Sequence, residues 1–82
     1  MAKHPESIER QLKKLGNRIK QIRKEQGYSN YEQFAFKHDI NRSSYSRFES
    51  GEDIRFSSLL RVLEAFDMSL EEFFSEGFDI HE

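Results

Sequence analysis

The amino-acid sequence predicts a small all-α domain, and three observations support this class. Apolar residues recur at intervals of three and four, which is the spacing of one face of a helix. Residues that favour helix N-termini, Asn30, Asn41 and Ser69, precede these segments. Strand-like alternation is weak throughout, and the single proline, Pro5, lies near the start of the first helical pattern. The 82 residues suffice for one domain.

The first predicted helix extends from about Glu6 to Gln26. Its apolar stripe consists of Ile8, Leu12, Leu15, Ile19 and Ile22. Gly16 interrupts the pattern, and glycine inside a helix costs about 1 kcal/mol relative to alanine. Two interpretations are open: one long helix, or a short N-terminal helix followed by the domain's first helix near Leu15.

Residues 30–51 predict two short helices that are joined by a tight turn. The second helix begins after Asn30, or after Ser29 if the cap lies one residue earlier. Asp39 is expected in the turn with a left-handed backbone, which aspartate tolerates better than most residues. Asn41 caps the third helix, which covers about residues 42–50.

Two further helices are predicted in the C-terminal part of the chain. The fourth begins near Phe56 or Ser57 and ends near Phe66. Ser69 caps a short fifth helix, in which Glu72 completes a capping box. The tail that follows is interpreted either as a short strand or as disordered chain.

The chain contains eight phenylalanines, which suit a small domain because each ring buries a large area. Six of them fall on inward helical positions and are assigned to the core: Phe34, Phe48, Phe56, Phe66, Phe73 and Phe74. Phe36 is expected to point outward, where it contacts a partner or the N-terminal extension.

The net charge of −2 conceals two halves of opposite sign. Residues 1–47 carry 11 Lys or Arg and 5 acids, whereas residues 48–82 carry 2 Arg and 10 acids. This asymmetry favours one face for a polyanion and another turned away from it, although uneven charge is common in small domains. The chain has no cysteine, no apolar run of membrane-spanning length and no signal-peptide pattern, so we expect a cytoplasmic protein.

The motifs in this order resemble the Xre family, the helix-turn-helix domains similar to lambda-type phage repressors and Cro proteins. The resemblance is carried by LGNRIKQIR at residues 15–23, FA at 34–35, INRSSYSRFESG at 40–51, LLRVLEAF at 59–66 and LEEFF at 70–74. It implies a five-helix lambda-repressor-like helix-turn-helix DNA-binding domain at residues 15–74. An N-terminal helical extension (1–14) and a short C-terminal tail (75–82) flank this domain.

The chain departs from the family's pattern in the helix-turn-helix unit. Tyr31 stands where the family usually has glutamine, and the segment that leads into the second helix is one residue longer than usual. Asp39 replaces the usual turn glycine, and Tyr45 is larger than the usual isoleucine or valine.

The resemblance implies that the third helix enters the major groove of double-stranded DNA, where its side chains read base edges. The candidate base-reading residues are Arg42, Ser43, Ser46 and Arg47. Arginine pairs with O6 and N7 of guanine, and serine serves several bases. The alternative for Arg42 and Arg47 is that they only solvate an exposed face.

A second set of residues is expected to contact phosphates, which set affinity rather than sequence choice. The set comprises Asn30, Tyr31, Lys37, Ser44, Arg55 and Ser57. The alternative for Asn30 is that it only caps the second helix, and the alternative for Tyr31 is that it covers the edge of the core. The alternative for Ser44 is that it continues the cap of the third helix.

By the same resemblance, Arg23 and Glu49 align with an internal ion pair between the first and third helices, which is a structural role. The three histidines are scattered without a second ligand at useful spacing, so no metal site is expected. No phosphate loop, nucleophile motif or catalytic pair of carboxylates is recognisable, so we expect neither an enzyme nor a cofactor.

The leading hypothesis is therefore a sequence-specific DNA-binding transcriptional regulator that acts as a homodimer on a two-fold operator. The candidates for the dimer contact are Phe73, Phe74, Phe78 and Ile80. The alternative is that the first two complete the core and the last two fray. A second hypothesis is an antitoxin or other interaction module whose acidic half binds a basic protein, such as a toxin.

Overall fold

The computed structural model describes residues 4–78, and that part of the chain contains five α-helices. The helices are α1 (Glu6–Glu25), α2 (Tyr31–Lys37), α3 (Arg42–Glu49), α4 (Phe56–Phe66) and α5 (Leu70–Phe74). Within residues 4–78 there is no strand, and the predicted all-α class is confirmed.

α1 is one continuous helix, which decides between the two interpretations of Gly16. Gly16 is buried against α3, where an added Cβ would lie 2.7 Å from the carbonyl oxygen of Glu49 and 2.8 Å from that of Phe48. Glycine at this position therefore permits close approach of two helices and does not break α1. The N-terminal extension continues into the domain without a turn, because residues 14 and 15 both lie inside α1.

The turn between α2 and α3 has the conformation expected from its aspartate. Asp39 has a φ angle of 57°, and the amide of the next residue, Ile40, donates to the carbonyl oxygen of Ala35 at 2.8 Å. Asn41 then begins α3, since its Oδ1 accepts a hydrogen bond from the amide of Ser44 at 2.9 Å. The turn thus ends one helix and starts the next within four residues, 38–41.

The core lies where the five helices meet, and Phe34 is at its centre. Its ring centroid is 5.2 Å from that of Tyr45 and 5.1 Å from that of Phe66. The buried apolar residues are Ile19, Ile22, Phe34, Ala35, Tyr45, Leu59, Val62, Leu63, Phe66 and Phe73. Phe48 and Ile40 are half-buried and pack against this cluster.

The assignment of Phe56 and Phe74 to the core is wrong. Phe56 is 59% exposed and Phe74 is 43% exposed. Phe56 is the first residue of α4, so its ring extends beyond the edge of the core. Phe74 is the last residue of α5, where the neighbouring Phe73 takes the buried position. Phe36, which is 89% exposed, points outward as predicted.

α5 is attached to α1 by a buried arginine. The Nε of Arg18 donates to the carbonyl oxygen of Phe73 at 2.7 Å, and its Nη2 donates to that of Glu72 at 3.1 Å. The predicted capping box at Ser69 is confirmed, because Ser69 and Glu72 exchange hydrogen bonds of 2.9 and 3.1 Å. These bonds lower the pKa of the Glu72 carboxyl.

The predicted tail is only partly described. Residues 75–78 form turns and bends without a strand, and the remaining residues, including Ile80, lie outside the described residues. Phe78 packs against α5, with its ring centroid 4.8 Å from that of Phe74. The tail therefore stays close to the domain at least as far as Phe78.

Candidate nucleic-acid interface

α3 separates an anchoring face from a polar face. Tyr45 is fully buried and Phe48 is half-buried, and both rings pack on the core side of the helix. Arg42, Ser43 and Arg47 are exposed on the other side. Residues four positions apart are neighbours on a helix surface, so the pairs 42 with 46 and 43 with 47 form one polar strip. This strip, Arg42, Ser43, Ser46 and Arg47, is called the α3 strip below.

Two of the three serines of α3 are less exposed than its arginines. Ser46 is half-buried within the α3 strip. Ser44 is also half-buried, and its amide is used by the Asn41 cap. Both side chains are small, so the arginines project further from the helix than the serines do.

The N-terminus of α2 lies beside the start of α3. The Oδ1 of Asn30 accepts hydrogen bonds from the amides of Glu32 and Gln33, at 2.7 and 3.2 Å. Asn30 therefore is the cap of α2, and its amide group is the part of the side chain that remains as a donor. The ring of Tyr31 is half-buried and stacks on that of Tyr45, with centroids 6.3 Å apart.

A depression, called the α2–α3 depression below, lies between the N-terminus of α2 and the first residue of α3. Its lining includes Asn30, Glu32, Gln33, Phe36 and Arg42. Within it, Nη1 of Arg42 lies 3.3 Å from Oε2 of Glu32, and both side chains are largely open to solvent. The first arginine of the α3 strip thus has an acidic neighbour that sequence reasoning did not identify.

A second concavity, the α3–α4 groove, lies between α3, the following loop and α4. It has a volume of about 320 Å³ and is lined by Ile40, Asn41, Ser44, Arg47, Phe48, Glu52, Asp53, Arg55, Ser58, Arg61 and Val62. The structure therefore brings Ser44 and Arg47 together with Arg55. Two acids, Glu52 and Asp53, share the groove with the arginines.

Arg61 belongs to this groove and was not among the predicted residues. The signal was present in the sequence, because Arg55, Ser58 and Arg61 follow one another at intervals of three and so share a face of α4. Ser57 is exposed next to this face but does not line the groove. At the start of α4 no side chain caps the helix, so its first amides remain available as donors.

Lys37 is placed apart from these surfaces. It is the last residue of α2, and its Nζ lies 5.9 Å from the ring centroid of Tyr28. This is the end of α2 opposite to Asn30. Lys37 lines neither the α2–α3 depression nor the α3–α4 groove.

Arg23 and Glu49 form a bidentate ion pair that connects α1 to the end of α3. Nε of Arg23 lies 2.8 Å from Oε2 of Glu49, and Nη2 lies 2.9 Å from Oε1. The side chains are only 4% and 10% exposed, and Nη1 of Arg23 also donates to the carbonyl oxygen of Tyr28 at 2.7 Å. The Glu49 carboxylate raises the pKa of Arg23. Because both side chains are buried, the pair has a structural role and is not part of the exposed surface.

The hydroxyl of Tyr45 is buried beside this ion pair. It meets no acceptor at hydrogen-bonding geometry in the described part of the chain, although both Glu49 and Arg23 act on it electrostatically. Burial is the main reason why the pKa of Tyr45 is raised far above its ordinary range. The neutral phenol therefore serves as core.

Other kinds of site are not indicated by the described residues. Within residues 4–78, no cluster of three His, Asp or Glu side chains is arranged to hold a metal ion. None of the described helices is both long and apolar enough to span a membrane.

The comparison with protein families agrees with the geometry of α2 and α3. The model of a helix-turn-helix family matches residues 19–73, which is more than half of the chain and includes both helices of the unit. No curated protein and no solved structure matches the chain significantly. The family is the Xre and lambda Cro type of helix-turn-helix domain, which binds DNA. The buried face of α3, its exposed arginines and this match together show that the chain belongs to the helix-turn-helix family.

Proposed function

We propose that this protein is a sequence-specific regulator of transcription that inserts the N-terminal half of α3 into the major groove of double-stranded DNA. The observation that carries the proposal is the α3 strip. Its two arginines are exposed on a helix whose opposite face is anchored by a fully buried tyrosine. A helix held in this way presents its side chains at a defined angle, as base reading requires.

In this proposal the residues of the α3 strip read bases. Arg42 and Arg47 each pair with O6 and N7 of a guanine, and Ser43 accepts from or donates to a neighbouring base. Ser46, half-buried and small, lets the helix approach the groove floor closely. The exposure of both arginines supports this assignment, since neither is used to hold the fold together.

Phosphates on either side of the groove are contacted from the helix ends. Arg55 and Arg61 bind phosphates of the DNA strand that lies beside the α3–α4 groove. The same strand is contacted by Ser44, Ser57 and the free amides at the start of α4. The amide of Asn30 and the hydroxyl of Tyr31 serve the other strand, at the N-terminus of α2. Lys37, at the far end of α2, adds only long-range attraction.

The acids in both concavities influence the balance between specific and non-specific binding. Glu32 lies beside Arg42, and Glu52 and Asp53 share the α3–α4 groove with the arginines. Negative side chains near phosphates weaken the sequence-independent attraction that supplies non-specific binding. The protein is therefore expected to bind random duplexes weakly and to depend on base contacts at its operator.

A single domain of this size contacts few base pairs, so we propose a homodimer on an operator with two-fold symmetry, acting in the cytoplasm. The molecule measures 34 × 31 × 22 Å. Two copies in contact along either longer dimension have centres about one turn of duplex apart, roughly 34 Å, which is the spacing of half-sites.

An alternative is an antitoxin or related module that binds a basic protein. The ring of Phe36, which is 89% exposed, and the acidic residues 48–82 favour this class. Because Phe36 lines the same depression as Arg42, a toxin bound there would compete with DNA in this alternative. A basic protein whose binding lowers the affinity for the operator would distinguish it from simple regulation.

The proposal is tested by selecting bound duplexes from a random pool at several salt concentrations. We expect one enriched motif with two-fold symmetry, and an affinity that falls as salt rises because phosphate contacts release counterions. Equal recovery of all sequences at every salt concentration would contradict sequence-specific regulation.

A further inference from the structure

We propose that Phe36 determines part of the sequence preference of this protein, because its ring reads the C5 methyl group of a thymine in the base pair next to the guanine that Arg42 reads. The inference rests on the proposed function. It goes beyond the α3 strip, because it assigns a base contact to α2 and makes that contact apolar.

The ring of Phe36 is the most exposed large apolar side chain in residues 4–78. It is 89% exposed, and the next in order, Phe56, is 59% exposed. The buried residues of α2 are Phe34 and Ala35, so Phe36 adds nothing to the core. A ligand that covers the ring removes apolar surface from water, which is favourable.

Phe36 lies in the same concavity as the first arginine of the α3 strip. Phe36, Glu32 and Arg42 all line the α2–α3 depression. Glu32 is one helical turn before Phe36 on α2, and its Oε2 lies 3.3 Å from Nη1 of Arg42. DNA that brings a base pair to Arg42 therefore also covers the depression, so the apolar surface of Phe36 is continuous with the base-reading surface.

The position of Phe36 relative to α3 is fixed by the turn that follows α2. The amide of Asp39 donates to the carbonyl oxygen of Phe36 at 3.3 Å, and the amide of Ile40 donates to that of Ala35 at 2.8 Å. Asn41 caps α3 directly after this turn. A contact residue on a backbone held in this way meets a ligand atom at a defined place, as base discrimination requires.

The chemistry of the depression favours a base methyl group over a phosphate. Its lining includes the acids Glu32 and Asp39 and, besides Phe36, the apolar Ile40. Carboxylates repel phosphates, whereas a methyl group carries no charge and gains from burial against a ring. Among the four bases thymine alone presents a methyl group in the major groove, and phenylalanine is one of the side chains that contact it. Arg42 and Phe36 together therefore fit a guanine and a neighbouring thymine.

A protein partner is the other occupant that an exposed ring allows. A protein seated on Phe36 would also cover Arg42, since both line one depression. In that case the ring would have no effect on binding to DNA alone. The two occupants therefore differ in a measurement that contains only this protein and a duplex.

The first test replaces single thymines of the selected operator by deoxyuridine, which pairs as thymine does and lacks only the methyl group. The informative position lies next to the guanine whose preference Arg42→Ala relaxes. There we expect the wild-type chain to bind a thymine half-site about three- to five-fold more tightly than the uracil half-site. In Phe36→Ala this ratio should fall to about one, and Phe36→Leu should retain part of it because leucine is also apolar.

Both Phe36 variants should fold as the wild type does, because a side chain that is 89% exposed contributes little to the core. Leu60→Ala is the matched control. Leu60 is an exposed apolar side chain too, at 40%, but it lies on α4 and lines neither the α2–α3 depression nor the α3–α4 groove. It should keep the wild-type ratio between thymine and uracil half-sites.

A second test repeats the selection from random duplexes with the variant chains. The motif enriched by Phe36→Ala should lose the thymine and keep the guanine, whereas Arg42→Ala should lose the guanine and keep the thymine. A Phe36→Ala motif identical to that of the wild type would contradict reading by the ring.

The outcomes separate this inference from the proposed function. If the wild-type chain enriches no motif, the regulator function fails and the thymine contact fails with it. An enriched motif without a thymine beside that guanine, or the same thymine-to-uracil ratio in the wild type and in Phe36→Ala, would overturn the contact alone and leave the regulator in place.

Two further results would also overturn the thymine contact. Equal weakening of every duplex by Phe36→Ala would place the ring on the sugar–phosphate backbone, where it reads no sequence. Unchanged binding of every duplex by Phe36→Ala would leave the ring to a protein partner.

Discussion

The guanidinium of Arg42 and the carboxylate of Glu32 face each other in the depression between the N-termini of α2 and α3, with Nη1 and Oε2 3.3 Å apart. Both side chains are largely exposed, at 67% and 49%, so the pair contributes little to folding. Its place at the start of α3 matters for binding instead. In the proposed function, a carboxylate beside Arg42 disfavours its use as a phosphate contact.

We expect Arg42→Ala to relax base preference at one position of each half-site. Loss of a bidentate contact with guanine costs about 1–3 kcal/mol of discrimination. The measurement is the affinity for the selected operator and for its single-base variants. A uniform loss of affinity for every duplex would instead identify Arg42 as a phosphate contact.

Glu32→Gln should strengthen non-specific binding to DNA. Removing a negative charge beside the DNA raises affinity for random duplexes, and it frees Arg42 to reach phosphates. We expect a smaller ratio of specific to non-specific affinity than in the wild type and a steeper dependence on salt. Glu64→Gln, on the exposed side of α4, is the matched control, because it makes the same charge change outside the described interface.

The buried pair of Arg23 and Glu49 predicts a large loss of stability when one partner is removed. Glu49→Leu leaves the guanidinium buried without its carboxylate, and Arg23→Met leaves the carboxylate buried without its guanidinium. In either single variant we expect the free energy of unfolding to fall by about 3–5 kcal/mol. The double variant Arg23→Met with Glu49→Leu should lose less than the sum of the single losses, because neither charge remains. Urea denaturation of the four proteins checks this, and strict additivity would contradict the pairing.

Gly16→Ala should destabilise the protein although alanine is the better helix former. The added Cβ would lie 2.7 Å from the carbonyl oxygen of Glu49, so α1 and α3 must separate. Overpacking of this kind costs about 1–3 kcal/mol, which outweighs the gain of about 1 kcal/mol from helix propensity. Asn17→Ala, exposed on the next position of α1, is the control and should be neutral or stabilising. A melting temperature for Gly16→Ala at or above that of the wild type would refute the close contact.

His38 predicts a dependence of stability on pH. Its ring is half-buried against Phe34, and burial, followed by the charge of Lys37, lowers its pKa below the ordinary value of 6.5. The unfolded chain then binds more protons than the folded chain, so the contribution of His38 is complete above pH 6.5 and is lost as the pH falls below that value. His38→Gln should flatten the decline in unfolding free energy between about pH 7 and 5. An unchanged slope would assign the decline to other groups.

Much of the fold could be predicted from residue types and their spacing. The caps at Asn30, Asn41 and Ser69 act over three residues of chain, and the left-handed Asp39 depends on local backbone alone. Helical spacing identified the buried face of α4 and the buried Ile19 and Ile22 of α1 for the same reason, whereas Ile8, at the start of the predicted stripe of α1, is exposed. These features are determined locally, so the sequence by itself determined the five helices and the helix-turn-helix unit.

Only the tertiary structure decided which of these surfaces meet. Phe56 and Phe74 follow the helical pattern yet are exposed, because burial depends on whether another element covers the position. Arg61 and Arg47 line the same α3–α4 groove, and Glu32 lies 3.3 Å from Arg42. Both relationships arise from the packing of one helix on another, which no local sequence pattern indicates. The role of Gly16 was ambiguous for the same reason, since its cost to the helix is a local quantity and its benefit arises from the approach of α3.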